Sequence, residues 1–159
     1  MSTTVYERLV AILDSEGARY RIIEHPAEGR SDLVAAIRGT APGQGAKAML
    51  CTGKDEGRTL ILAILPGDQK LDFKKVAAAG HVKKATLATA EDAERETGCV
   101  VGSIPPFALS PAIKLVVDRG LLESFDEIAF NAGRLDRSIV LNSSDYVRIA
   151  QPIVTPLCV

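Results

Sequence analysis

Two apolar stretches, residues 47–52 (KAMLCT) and 59–65 (TLILAIL), flank the six residues GKDEGR, and this arrangement constrains the fold most. Both have strand length, and the polar, glycine-bounded segment between them reads as a hairpin turn. A lone hairpin is marginal in water, so these strands need further strands or helices packed against them. A stretch such as TLILAIL is far too short to span a bilayer, so no membrane is expected as a partner.

The remaining chain supplies that packing. In TTVYERLVAILDSEGA, Val5, Leu9, Ile12 and Leu13 fall on one helical face, with Thr3 or Thr4 as a start cap and Gly17 as a stop. RYRIIEHP alternates like a strand and stops at Pro26. SDLVAAIRG reads as a short helix capped by Ser31 and stopped by Gly39, and PGDQKLDFKKVAAAG as a turn leading into a helix. KATLAT is strand-like, AEDAERETG a short acidic helix, CVVGSIPPFAL a strand followed by a Gly/Pro loop. AIKLVVD is a strand and GLLESFD a turn or short helix. EIAFNAG and RSIVLNS make a second hairpin, and SSDYVRIAQP a last helix. Strands outnumber helices and come in adjacent pairs, which predicts an α+β fold with a mixed, largely antiparallel sheet flanked by helices. With 159 residues and no linker, repeat or low-complexity stretch, residues 1–159 are expected to form one domain.

Several chemistries are excluded. A formal net charge of −1 argues against a protein that coats nucleic acid through its global field, and no DNA-recognition helix or zinc-finger pattern occurs. No cluster has metal-ligand spacing and no cofactor motif is present: GQGAKA lacks the Walker spacing and the Ser/Thr after its lysine. His25 and His81 read as surface or capping groups rather than bases, and Cys99 as a small core residue. Three scattered cysteines and no signal-like segment fit a reducing cytoplasm.

Two features stand apart. Lys47 opens a strand directly after GTAPGQGA, sharing a face with Met49 and Cys51 while Ala48 and Leu50 point the other way. It is either a lysine whose stem lies on apolar surface with its ammonium at the strand end, or a cation aimed at a phosphate or other anion. The second feature is GCVVGSIPPFAL, where Gly102 permits a close backbone approach and Pro105 and Pro106 stiffen the second half of the loop. Such a loop is either a plain turn or a holder of free N–H groups for a carbonyl oxygen. From Lys70 to Lys84, five lysines (Lys70, Lys74, Lys75, Lys83, Lys84) face one acid, Asp72, which makes either a patch that engages a few phosphates or a solvated helix face.

Through IRGTAPGQGAKAM, LAILPGDQKLD, TGCVVGSIPPF and FDEIAFNAG…DRSIVLNSSDYVRIAQP, the chain resembles the prolyl-tRNA synthetase-associated editing domains, the YbaK family, and within it the free-standing YeaK-like branch. The resemblance implies a barrel-like sheet around a pocket, and an enzyme that hydrolyses the ester between a wrong amino acid and its tRNA. The family's strand-opening lysine matches Lys47, and its G-x-x-x-P loop matches residues 102–106, GSIPP. Lys47 and Gly102 are then the expected catalytic pair, the first orienting the charged 3′ end, the second holding the aminoacyl carbonyl. A free ribose hydroxyl of the terminal adenosine would help position water, so a missing triad is no objection.

Residues expected to touch the substrate are Ala46 and Met49; Ser103, Ile104, Pro105, Pro106 and Phe107 of the loop; Asn131, Ala132 and Gly133 of the FNAG turn; and Ser138 as a polar contact. A small side chain such as Ala, Ser or Cys would fit. Where many relatives have an HPP…T-type segment this chain has HPAEGRSDLVA, so their amino-acid specificity does not transfer. The other class of reading is a non-catalytic adaptor that binds tRNA or a synthetase through the same fold; the presence of both Lys47 and the loop favours the enzyme.

Overall fold

A computed structural model describes residues 3–159. The long hairpin forms as its sequence dictates: β2 (Ala46–Lys54) and β3 (Arg58–Pro66) pair antiparallel along their whole length. β3 continues the sheet with parallel β5 (Ile113–Asp118), which pairs parallel with the short β8 (Ile153–Thr155). On the other side, β4 (Lys84–Leu87) covers only residues 51–54 of β2. The five strands run β4-β2-β3-β5-β8. A second, three-stranded sheet has the order β1-β7-β6, from β1 (Tyr20–Glu24), β7 (Arg137–Asn142) and β6 (Glu127–Arg134). It is antiparallel throughout.

The α+β, mixed and largely antiparallel character matches the expectation. Closure into a barrel does not: the two sheets remain separate and meet at one isolated parallel bridge, Gly45 to Ala129. Residues 99–101 form no strand either; they turn into the loop that Gly102, at φ 92°, continues.

Alternation sorts the core. Leu50, Leu62, Ile64, Leu115 and Val117 from the large sheet face Ile128, Phe130, Ile139 and Leu141 from the small one. Leu9 and Leu13 of α1 (Val5–Ser15) and Tyr146 of α6 (Ser143–Ala150) close this core. The opposite face of the large sheet, with Cys51, Ile61, Ala63 and Val116, packs under α3 (Phe73–Gly80) through Val76 and Ala77. Thr4 caps α1 by accepting from the Glu7 N–H, and Gly39 ends α2 (Ser31–Arg38) in the left-handed region. Ser31 is no cap: Arg30 holds that position without a side-chain bond, which frees Ser31 for another surface. The two short helices α4 (Ala90–Thr97) and α5 (Arg119–Ser124) and a 3-10 turn at Pro42–Gln44 complete the element set.

Asp145 ties α6 to the start of β1. Its carboxylate accepts from the Arg19 backbone N–H at 2.8 Å and from Arg19 Nε at 3.0 Å. The Arg19 side chain foremost, then its N–H, hold the carboxyl pKa at about 2. A depressed folded pKa means that this contribution is complete above the unfolded value of about 3.9 and is lost as pH falls through the folded one. Asp145→Asn should therefore lower Tm at pH 7, with the gap to wild type narrowing as melts are taken from about pH 4 towards about pH 2. An equal gap at all pH values would show that packing, not charge, is at stake.

Candidate active site

β2 is hydrogen-bonded on both sides only over its second half. The Leu50 carbonyl accepts from the Ala88 N–H at 2.9 Å, at the point where β4 leaves the strand. Alternate residues of a strand point their N–H and C=O the same way, so Ala48 directs its pair to this uncovered edge. A cavity of about 230 Å³ opens there. Its floor is Gly45, Ala46, Lys47, Ala48 and Met49 of β2 and the residue before it; its walls are Gly29, Ser31, Val34 and Arg38 on one side, Val101, Gly102 and Ile104 on another, and Asn131.

Lys47 and Gly102 thus line one cavity although 55 residues separate them in sequence. The Lys47 stem lies on the α3 side of the sheet with Met49 and Cys51, and its Nζ donates to the Gln69 carbonyl at 2.8 Å. Partial burial lowers the ammonium's pKa, opposed by Cys158 and Asp68 nearby. Gly102 sits against Gly29: a Cβ built on it would stand 2.9 Å from both the Gly29 Cα and its carbonyl oxygen. The N–H groups of Gly102 and Ile104 make no hydrogen bond within the described residues, whereas the Ser103 N–H is taken by the Val100 carbonyl at 3.0 Å. Two main-chain donors of residues in the wall are thus without a partner among the described residues.

Asn131 and Ser138 are direct register partners across β6 and β7. They alternate with Phe130 and Ile139 of the core, so both point to the sheet's other face, towards α2. There Arg38 donates from Nε to Ser138 Oγ at 2.7 Å and from Nη2 to Asn131 Oδ1 at 3.0 Å. The Asn131 amide donates to the Glu28 and Gly102 carbonyls, each at 2.8 Å. Behind them His25 places Nε2 2.7 Å from Ser138 Oγ, and Nδ1 2.8 Å from the Pro26 carbonyl. A carbonyl only accepts, so Nδ1 carries a hydrogen. Burial pushes the Arg38 guanidinium down to about 10, and no carboxylate pairs with it among the described residues.

Of the residues that the sequence singles out, Lys47, Gly102, Ala46, Met49, Ile104 and Asn131 meet at the cavity. The others lie elsewhere. Ser103 is buried, its hydroxyl donating to the Val100 carbonyl at 2.8 Å. Pro105 and Phe107 face a different cavity beside Val5 and Leu62, and the Pro106 carbonyl accepts from the Tyr146 hydroxyl at 2.7 Å. FNAG is no turn but part of β6, so Ala132 enters the core and Gly133 packs on Val5. Ser138 is 0% exposed and reaches the cavity only through Arg38 and Asn131. All five lysines from Lys70 to Lys84 are exposed and outside the cavity; Lys75 Nζ bonds the Cys158 carbonyl at 2.7 Å and Lys83 pairs with Asp55 at 3.7 Å. Arg38 and Ser31 are new. They stand with Val34 at i, i+3 and i+7 of α2, a spacing that puts a cation on the helix's inward face.

Residues 25–149 match the model of the aminoacyl-tRNA editing domain. The chain belongs to the aminoacyl-tRNA editing domain family. It is 48% identical over 151 residues, 94% of its length and 90% of the relative's, to the multifunctional Ser/Thr-tRNA deacylase ProXp-y of Escherichia coli. A proline–tRNA ligase of Kosmotoga olearia is 33% identical over 61% of this chain, which covers 16% of that ligase. The fold also matches a crystal structure named as a candidate trans-editing enzyme for prolyl-tRNA synthetase, with a TM-score of 0.81 at 22% identity, over 100% of this chain and 99% of that one. The editing-family chain thus has the Gly29–Gly102 backbone contact as a wall of its cavity, and that contact is testable. Gly102→Ala combines a positive φ with a Cβ pressed on backbone, whereas Gly17→Ala has a positive φ of 64° and open space around it. The first should lower stability by about 2 kcal/mol or more, the second by about 1 kcal/mol, in chemical denaturation. Equal losses would show that the two backbones separate freely.

Proposed function

We propose that residues 1–159 act as one trans-editing domain, an aminoacyl-tRNA deacylase that clears a small, wrongly attached amino acid such as serine or threonine. The reading is carried by one observation: Lys47, Gly102 and Ile104 line one cavity of about 230 Å³, and the N–H groups of Gly102 and Ile104 have no partner among the described residues. That volume lies below the roughly 300–1,000 Å³ usual for ligand pockets and suits a small aminoacyl group with the nucleotide outside. Family membership and the named activity of the Escherichia coli relative support it.

The chemistry asks little of acid–base side chains. Water attacks the ester carbonyl, the oxygen gains negative charge, and we assign the Gly102 and Ile104 N–H groups as the donors that receive it. The C–O ester bond then breaks, the ribose oxygen takes up a proton, and free amino acid and tRNA leave. Lys47, already fixed by the Gln69 carbonyl, keeps two N–H donors for the 3′ end. The free ribose hydroxyl beside the ester orients the water, as the family resemblance implies. The tRNA body lies over the exposed lysines, which follow Gln69 directly in the chain, and a cytoplasmic synthetase supplies the mischarged substrate.

Lys47→Ala should fold normally and lose a hundredfold or more in deacylation, about 2.7 kcal/mol in the barrier, as for loss of a positioning group. Lys47→Arg should also be impaired, because a planar guanidinium cannot take the place of a compact ammonium under the Gln69 carbonyl. A folded Lys47→Ala variant that binds tRNA and retains wild-type turnover would remove the lysine from the mechanism. Binding without turnover in the wild type would leave an adaptor.

Replacing Lys70, Lys74 and Lys84 together by Ala should flatten the salt dependence of tRNA binding by about 0.7–0.9 for each phosphate that is no longer neutralised. Lys75 and Lys83 already have partners and should contribute less. An unchanged slope would make the patch a solvated face.

A further inference from the structure

The polar groups of the cavity are unequal in what they have left to give. Asn131 has none: both amide hydrogens go to carbonyls, and its oxygen accepts from Arg38 and lies 3.0 Å from Ser138 Oγ. Ser138 is fully buried with three neighbours, Arg38 Nε, Asn131 Oδ1 and His25 Nε2. Lys47 belongs to the Gln69 side, and the Ser31 hydroxyl rotates. Arg38 differs. Nε and Nη2 lock its fork, yet Nη1 makes no hydrogen bond within the described residues and faces Gly45, where a Cβ would stand 3.6 Å from it.

Nη1 is therefore a pair of fixed, cationic N–H donors on a cavity with no carboxylate in its lining. It repels the α-ammonium of an aminoacyl group and has no use for a methyl. It needs an oxygen. We infer that Arg38 Nη1 receives the side-chain hydroxyl of the aminoacyl group and so makes the site prefer hydroxylated amino acids over alanine; this rests on the deacylase reading above. The specificity residue is then Arg38, held in place by Ser138, and not Ser138 itself. An alanyl side chain leaves Nη1 to water that the substrate cannot replace, and unpaired polar groups in a site discriminate more strongly than a missing methylene does.

The test measures kcat/KM for seryl-, threonyl- and alanyl-tRNA carrying one tRNA sequence, with wild type, Arg38→Met and Arg38→Lys. The seryl-to-alanyl and threonyl-to-alanyl ratios should fall tenfold or more in both variants, wherever absolute rates settle. Lysine keeps the charge but not the fork, so it should not restore the ratio. A fall of equal size on all three substrates, with partial recovery in Arg38→Lys, would assign Arg38 to a phosphate of the terminal nucleotide and overturn the inference. Unchanged ratios with unchanged rates would overturn it too. No turnover of any substrate by the wild type would instead overturn the deacylase reading, and this inference with it. Because the alanyl reaction is read in the same preparation, a merely misfolded variant fails on all substrates and leaves the Arg38→Lys ratio to decide.

Discussion

The Asn131 carboxamide makes hydrogen bonds to four groups, the Glu28 and Gly102 carbonyls, the Arg38 guanidinium and the Ser138 hydroxyl, from four separate stretches of chain. A buried polar group left without partners costs about 1–3 kcal/mol, so each of the four holds the others in place. Remove the carboxamide and the Gly102 loop, the segment after His25 and α2 lose their common anchor. The walls of the cavity are consequently set by the fold itself, before any substrate arrives. Catalysis by positioned donors depends on such order, because donors that must first rearrange give back what they gain.

Charge is arranged on the same principle. The chain is almost neutral overall, yet Arg38 and Lys47 line the cavity and five exposed lysines come after them in sequence. Acids nearest the site are set back: Asp68 acts on Lys47 from outside the lining, and Glu28 turns its carboxylate to the N–H groups of Gly29 and Arg30. Partial burial matters more than the count of charges, since a half-desolvated cation with no carboxylate partner acts on a ligand in a lower dielectric than a surface lysine does. Net charge gave no warning of this, because it averages over faces that never act together.

Local signals carried most of the fold. The two hairpins, α1 and the α3 turn followed their periodicity and turn residues, because in each a single face is buried and its register is pinned. Where no local signal existed the reading failed. β8 has three residues, held by β5 alone. Residues 99–101 carry strand-forming valines, but Gly102 and the packing against Gly29 turn the chain away from any partner strand. FNAG ends in a glycine that suggests a turn; the β6–β7 ladder holds it in the strand until the irregularity between Asn131 and Arg134. The cavity was half legible. Lys47 and Gly102 break local pattern, a cation entering an apolar strand and a glycine before prolines, whereas Asn131 looks ordinary until its register partner is known. Arg38 did leave a trace, a cation seven residues after Ser31 and four after Val34 on one helical face.

That trace begins in the segment where this chain departs from the HPP…T pattern of its resemblance. HPAEGRSDLVA contributes Gly29, Ser31 and Val34 to the cavity, and α2 carries on from it to Arg38. In the proposed deacylase, the strand that bears Lys47 and the loop that bears Gly102 are assigned what any aminoacyl ester presents, a carbonyl and a 3′ end. The 25–38 segment, which precedes both in the chain, is assigned in the same proposal what differs between amino acids. On that proposal chemistry and selectivity are built on different elements, joined through Asn131 and the Gly29–Gly102 contact. Such a division lets the 25–38 segment change without moving the donors, provided that whatever replaces it still offers Asn131 a carbonyl and Gly102 a neighbour without a side chain.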